Sequence, residues 1–456
     1  MLRSKWNSGG SGDHAETYSS TDSQDDVRGK PKDKMKLVYI LFFIQGVGSL
    51  LPFNMFITAS LYFTVKLQGT RFQHTFENYI SLASSVPTII ASVITVRMLR
   101  SYRLQTRMVF SLSVLIIMFI FTTIMVKVNT SKWKETFFFL TIISMVIISF
   151  FGTSIYQASL FGLAGVFPKE YTQSLISGMA LAGVFAALAS IFSLIGISDP
   201  YDSALGYFSC AVVVLIICLI TNVGLGKLEF ARFYMKNLEY GKSAAPVQEE
   251  THADVEDVND DARDLLYKQT LHANSSNYVL LIWKRVWPVG TAVFLCFTVT
   301  LSIFPAVMAR IQSVDRVPNN IFTDKLFTPL CCFLLFNTSD FVGRAISVWI
   351  LVPNYNRGIS ILLLSMSRIA FIPLILYCNA QPRSHLPVLV NSDVVYIILS
   401  CLIGLSNGYI ASLCMMFGPR RVHPQYAEST GAIMNVCLVL GLGAGSALSF
   451  AVVAML

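Results

Sequence analysis

Long apolar blocks, separated by short polar segments, fill most of this 456-residue chain. A helix needs roughly 20 apolar residues to cross a hydrocarbon layer about 30 Å thick. Eleven blocks come to about that length, at 37–65, 78–96, 108–126, 136–166, 173–197, 205–225, 286–308, 326–352, 358–378, 393–417 and 430–455. They lack the alternating pattern of barrel strands, and in lipid a spanning backbone must satisfy its own polar groups, so helices are expected. The predicted fold class is an all-α integral membrane protein of eleven transmembrane helices, divided six plus five. The first and fourth blocks exceed the minimum length and are expected to tilt or bend.

Two polar stretches set the division. Residues 1–36, rich in Ser, Asp, Gly and Lys, predict a disordered tail rather than a cleavable signal. Residues 227–285 hold an acidic core at 248–261 that cannot span. The expected units are the tail 1–36, a six-helix bundle 37–226, a loop 227–285 and a five-helix bundle 286–456.

Composition agrees with this picture: 54% of residues are hydrophobic, 13% are charged and the mean hydropathy is +0.60, far from an ordinary soluble domain. The net charge of +8 reads as a topological signature. With the amino terminus inside, cytosolic segments hold 23 of the 34 Lys and Arg residues and outside segments hold nine. The amino terminus is therefore expected in the cytosol and the carboxyl terminus outside. The basic residues are too dispersed to suggest a nucleic-acid partner. Of three glycosylation sequons, at Asn129, Asn274 and Asn337, only Asn129 falls in an outside loop.

The nine cysteines lie within the spans, where they read as small hydrophobes, and the six histidines lie in tails and loops. Metalloprotease, hydrolase, phosphate-loop and dinucleotide motifs are missing, so neither an enzyme nor a cofactor is expected. A receptor or scaffold would need an ordered soluble module, which neither polar stretch resembles. What remains is passage of a solute down its gradient or coupled to an ion gradient.

Charge inside a span marks the candidate site, because it is costly in lipid and normally faces a cavity or a partner. Asp340 and Arg344 lie four residues apart in the eighth block, hence on one helical face. The first block carries Gln45, two glycines, Pro52 and Asn54, where a kink could serve packing or a cavity. In the fourth block Gln157 offers both a donor and an acceptor, suited to a ligand ring edge or to a bridge between helices. Gly178 and Gly183 in the fifth block read as packing positions. Arg368 reads as structural, and Glu428 as a helix cap or more. Opposite charges at matched depth on opposite bundles suggest that Arg107 pairs with Glu428, with Asn337 nearby, as a cytosolic latch.

These residues sit in motifs that resemble the equilibrative nucleoside transporter family, solute carrier family 29. The motifs are Leu50-Leu-Pro-Phe-Asn54, Gln157-Ala-Ser-Leu-Phe-Gly-Leu-Ala-Gly165, Ser177-Gly178, Asp340-Phe-Val-Gly-Arg344, Arg368-Ile-Ala-Phe-Ile-Pro373, Gly404-Leu-Ser-Asn-Gly-Tyr-Ile-Ala-Ser-Leu-Cys414 and Gly431-Ala-Ile-Met434. They run in order through the spans. The resemblance implies a fold similar to the major facilitator superfamily lacking one terminal helix. It implies purine and pyrimidine nucleosides as cargo, moved without ATP by a monomer in the plasma membrane. It also implies that Asp340 and Arg344 hold the ribose hydroxyls and that Gln157 meets the base edge. Leu50, Phe53, Ile57 and Leu442 would form apolar walls beside Asn54, and Phe304 with Pro305 part of an outer gate. Phe53 stands where the family commonly has Trp, and Ala158 where Gly is frequent. A polyspecific organic-cation carrier and a proton-coupled nucleoside or nucleobase carrier are the alternatives within the same family. A bare cation site would favour a carboxylate without a neighbouring arginine.

Overall fold

The computed structural model describes residues 31–72, 76–98, 102–196, 199–235, 275–315, 320–354, 356–383 and 385–456. The expected tail through residue 30, the acidic core 248–261 and Asn274 lie outside the described residues. The described chain is mainly helical, with loops and isolated bridges such as Ile311 to Ala380 between the helices. In order the long elements are α1 (Leu37–Thr58), α2 (Phe76–Met98), α3 (Leu104–Lys127), α4 (Lys134–Val166), α5 (Lys169–Gly196) and α6 (Pro200–Leu225). After the linker come α7 (Ser275–Ile303), α8 (Leu335–Ile346), α9 (Gly358–Leu376), α10 (Asp393–Phe417) and α11 (Ala427–Ala454).

Among the described residues, nine helices are long and apolar enough to cross a membrane. They coincide with all the expected blocks except the second and the eighth. α2 contributes the shorter apolar stretch Leu82–Thr95. The eighth block is not one α-helix. A π-helical turn at Ile321–Lys325 precedes it, its first part winds as a second such turn at Thr328–Leu334, and regular α-geometry starts only at Leu335. Pro329, which has no N–H to donate, sits at the start of the second of these turns.

The fourth block also changes its winding along its length. Regular helix over Lys134–Ile148 gives way to π-helix over Ser149–Tyr156 and resumes at Gln157. A π-turn inserts residues into the α-helical ladder and often marks a functional position. Here it ends at the carboxamide singled out by the sequence.

Each half of the chain is held by close helix crossings. α1 packs on α5 and α6, α3 on α6, α7 on α9 and α11, and α8 on α10. Gly178 sits against the backbone of α1, where an added Cβ would lie 2.1 Å from the Phe43 carbonyl oxygen. Gln45 is consumed inside this half: its Nε2 donates to Cys218 O and Thr221 Oγ1, each at 2.8 Å, and its Oε1 accepts from Tyr156. The halves meet where α11 lies along the Gln157–Val166 part of α4 and where α8 lies along α5.

Just past α1, in the short helix Ser60–Lys66, the buried Lys66 ammonium donates to the carbonyls of Met125 at 2.5 Å and Val126 at 3.1 Å. It also lies 5.0–5.7 Å from the ring centroids of Tyr62, Phe137 and Tyr201. Burial brings its pKa down to about 8. Charge-assisted hydrogen bonds contribute about 1.5–3 kcal/mol each, and the last carbonyls of a helix need a partner. Lys66→Met is therefore expected to lower the melting temperature of purified protein by several degrees while leaving substrate affinity unchanged. An unaltered melt would show that the ammonium does not brace the end of α3.

Candidate functional site

The charged pair is buried and engaged on both sides. Arg344 Nε donates to Asp340 Oδ2 at 2.8 Å, and Asn407 Nδ2 on α10 donates to Asp340 Oδ1 at 2.7 Å. The crossing of α8 and α10 is tight enough for this because glycine faces backbone. A Cβ at Gly408 would lie 2.0 Å from Asp340 O, and one at Gly343 2.1 Å from Leu405 O. Both helices can thus bring their polar side chains to one point.

Asn407 then links Asp340 to a second guanidinium. Its Oδ1 accepts from Thr300 Oγ1 at 2.8 Å and from Arg368 Nη1 at 3.5 Å. Arg368, almost fully buried, also donates to Cys296 O, Thr300 Oγ1, Ile403 O and Ser406 Oγ at 2.8–3.1 Å. Asp340, Asn407 and Arg368 thus form one network across α7, α8, α9 and α10, with two guanidiniums and one carboxylate. Sequence reasoning set Arg368 aside as structural and gave Asn407 no role. Its clue was a carboxamide among three serines in the otherwise apolar run of α10.

The pair also touches the other half of the chain. Arg344 Nη1 reaches Ile176 O on α5 at 3.4 Å, and Gln173 Nε2 donates to Arg344 O at 3.1 Å and Ser177 Oγ at 2.8 Å. Any sliding of α8 against α5 therefore changes the surroundings of the charged pair.

Gln157 is 2% exposed, and its Oε1 meets no hydrogen-bond partner among the described residues. On α1, Leu50, Phe53 and Asn54 are half-buried and Ile57 is exposed. Their spacing puts them on one face, opposite Leu51, Pro52, Met55 and Phe56, which are buried in the core. Leu442 on α11 is half-buried. Phe304, just past the end of α7, stacks on Phe336 of α8 within the same half with ring centroids 4.0 Å apart, and Pro305 beside it is exposed.

Arg107 and Glu428 form an ion pair across the halves, Nη2 to Oε1 at 2.6 Å, with both side chains nearly fully buried. Gly162 makes room for it, since a Cβ there would lie 3.0 Å from Glu428 Cγ. Arg107 Nε and Nη1 have no partner among the described residues. Asn337 does not join them. It lies one turn before Asp340, on the same face of α8 but further from Arg344 along the helix, and donates to the Phe333 carbonyl at 2.8 Å. Its Oδ1 fills the space over Gly183, where a Cβ would fall 2.3 Å away. The expected three-residue latch is thus a two-residue contact, and Gly183 serves the meeting of α5 with α8. Asn129 is exposed in the turn between α3 and α4, where its Oδ1 accepts from Ser131.

Comparison with known proteins agrees with this architecture. The family model described as nucleoside transporter matches residues 142–454. Equilibrative nucleoside transporter 3 of Rattus norvegicus is 37% identical, covering 92% of this chain and 89% of its own length. Equilibrative nucleoside transporter 1 of Homo sapiens is 33% identical, with 92% and 98% covered. Among solved structures, the human organic anion transporter MFSD10 aligns with TM-score 0.50 at 11% identity over 93% of this chain and 95% of its own. The proton:xylose symporter XylE aligns with TM-score 0.51 at 9% identity over 89% and 85%. Likeness at such low identity speaks for the fold alone, that of major facilitator transporters. The chain belongs to the nucleoside transporter family.

Proposed function

We propose that this protein carries nucleosides across a membrane by facilitated, ATP-independent exchange between two half-bundles. The single observation that carries the reading is the buried Asp340–Arg344 pair, braced by Asn407 and touching both halves at the contact of α8 with α5. Vicinal ribose hydroxyls can donate to a carboxylate and accept from a guanidinium, so one pair can grip both. Gln157 supplies a buried acceptor for a base edge, and Leu50, Phe53, Asn54, Ile57 and Leu442 supply a partly open wall.

The finer assignments belong to the same reading. The chain crosses the membrane eleven times as a monomer, six helices (37–226) and five (286–456), with the tail 1–36, the loop 227–285 and the amino terminus in the cytosol. The carboxyl terminus and a glycan on Asn129 lie outside, at the plasma membrane. Phe304 and Pro305 belong to the outer gate, while Arg107 and Glu428 latch the cytosolic end. The two halves rock about the midplane site. An organic-cation reading is disfavoured because Arg344 and Arg368 outnumber Asp340 in the network.

Proteoliposome uptake tests this directly. Radiolabelled uridine and adenosine are expected to enter until inside and outside concentrations are equal, at the same rate with or without ATP and a pH gradient. A monoamine should not enter. Accumulation above equality driven by protons or ATP would refute the facilitative mechanism.

A further inference from the structure

Asn435 is the least explained polar residue of the interface. It is fully buried on α11, and neither Nδ2 nor Oδ1 has a hydrogen-bond partner among the described residues. A buried amide left unpaired costs about 1–3 kcal/mol, more than packing alone would retain. Its position is specific. Seven-residue spacing puts Glu428, Asn435 and Leu442 on one face of α11, each roughly 10 Å from the next. That face lies on α4. Ala432 packs on Ala158, and a Cβ at Gly431 would meet Phe161 O at 2.3 Å. Because Glu428 lies at Gly162 and Ala432 at Ala158, the two helices run antiparallel. Asn435 therefore falls within one helical turn of the level of Gln157, whose own acceptor is unpaired.

We infer that Asn435 is a specificity-determining contact: with Gln157 it hydrogen-bonds the polar edge of the nucleobase as α11 separates from α4. An amide offers two donors and an acceptor, and Gln157 Oε1 adds a second acceptor. Together they match the mixed donor and acceptor edge that each nucleobase presents. In this interface the same groups are buried and have no partner among the described residues, which favours opening once cargo arrives. This inference rests on the nucleoside-transport reading above.

The test compares full-length wild type, Asn435→Ala and Asn435→Gln in proteoliposomes, using labelled cytidine and adenosine, with phenyl C-riboside as a competitor that keeps ribose but lacks a base edge. For Asn435→Ala, KM for both nucleosides is expected to rise about tenfold, inhibition by phenyl C-riboside to change less than twofold, and the melting temperature to hold or increase. Asn435→Gln should recover part of the affinity. Unchanged KM, an equal loss of affinity for phenyl C-riboside, or a fall in melting temperature without a change in KM would overturn the assignment. No nucleoside uptake by wild type would instead overturn the transport reading, and this one with it.

Discussion

Asp340→Asn is expected to reduce ribonucleoside transport roughly 100-fold or more in kcat/KM. The substitution keeps the shape and one acceptor for Asn407 or Arg344, but it removes the sole carboxylate of a network that holds two guanidiniums. Leaving a buried charge without its counter-ion costs about 3–5 kcal/mol, and each 1.4 kcal/mol is tenfold in an equilibrium constant. The sugar hydroxyls would lose their strongest acceptor at the same time. Measured as uptake normalised to the amount of folded protein, 2′- and 3′-deoxyribonucleosides should lose less than ribonucleosides, because they present fewer hydroxyls to the missing carboxylate. An identical loss for every sugar would mean that Asp340 braces the helices without touching cargo. Arg344→Ala should produce a comparable fall and additionally loosen the contact with Ile176.

Glu428→Gln is the second large effect. Among the described residues two nitrogens of Arg107 have no partner, so its charge depends on the contact with Glu428. A neutral amide cannot hold it, and the end of the interface where α3, α4 and α11 meet should open more often. We expect transport to fall about tenfold and a cysteine in place of Ser111, buried one turn from Arg107 on α3, to become reactive toward a membrane-impermeant thiol reagent applied to the opened side. Reversing the charges in Arg107→Glu with Glu428→Arg should recover more activity than either single change. If the single variant keeps wild-type transport and cysteine reactivity, the ion pair does not latch the halves.

Much of this was legible before any coordinates. Block lengths located the helices because lipid imposes a minimum apolar run, and nine of the eleven expected blocks appear as spanning-length helices. The second and eighth blocks show what composition cannot express. Apolar residues such as those of Thr328–Leu334 fit α- and π-winding equally well, and the choice depends on Pro329 and on neighbouring helices. Asp340 and Arg344 were found because charge in an apolar run is conspicuous. Asn407 and Asn435 were not, because a lone carboxamide costs little in hydropathy and its meaning lies in what stands opposite. Asn337 was expected beside the Arg107–Glu428 pair, but it lies one turn before Asp340, further from Arg344 along the helix, and its amide is taken up by the Phe333 carbonyl.

The π-helical stretch Ser149–Tyr156 carries one more implication, for length rather than chemistry. A wide turn holds a residue that a regular α-helix would not need, so losing one residue there would let the rod close into regular winding with its ends intact. In a regular α-helix each residue removed would turn everything beyond it by about 100°, whereas here the wide turn would absorb the loss and leave Gln157 and the α11-facing row behind it aimed as before. A single-residue deletion in this segment is therefore expected to be better tolerated than one in the regular helix Gln157–Val166, where it would rotate the residues that face α11.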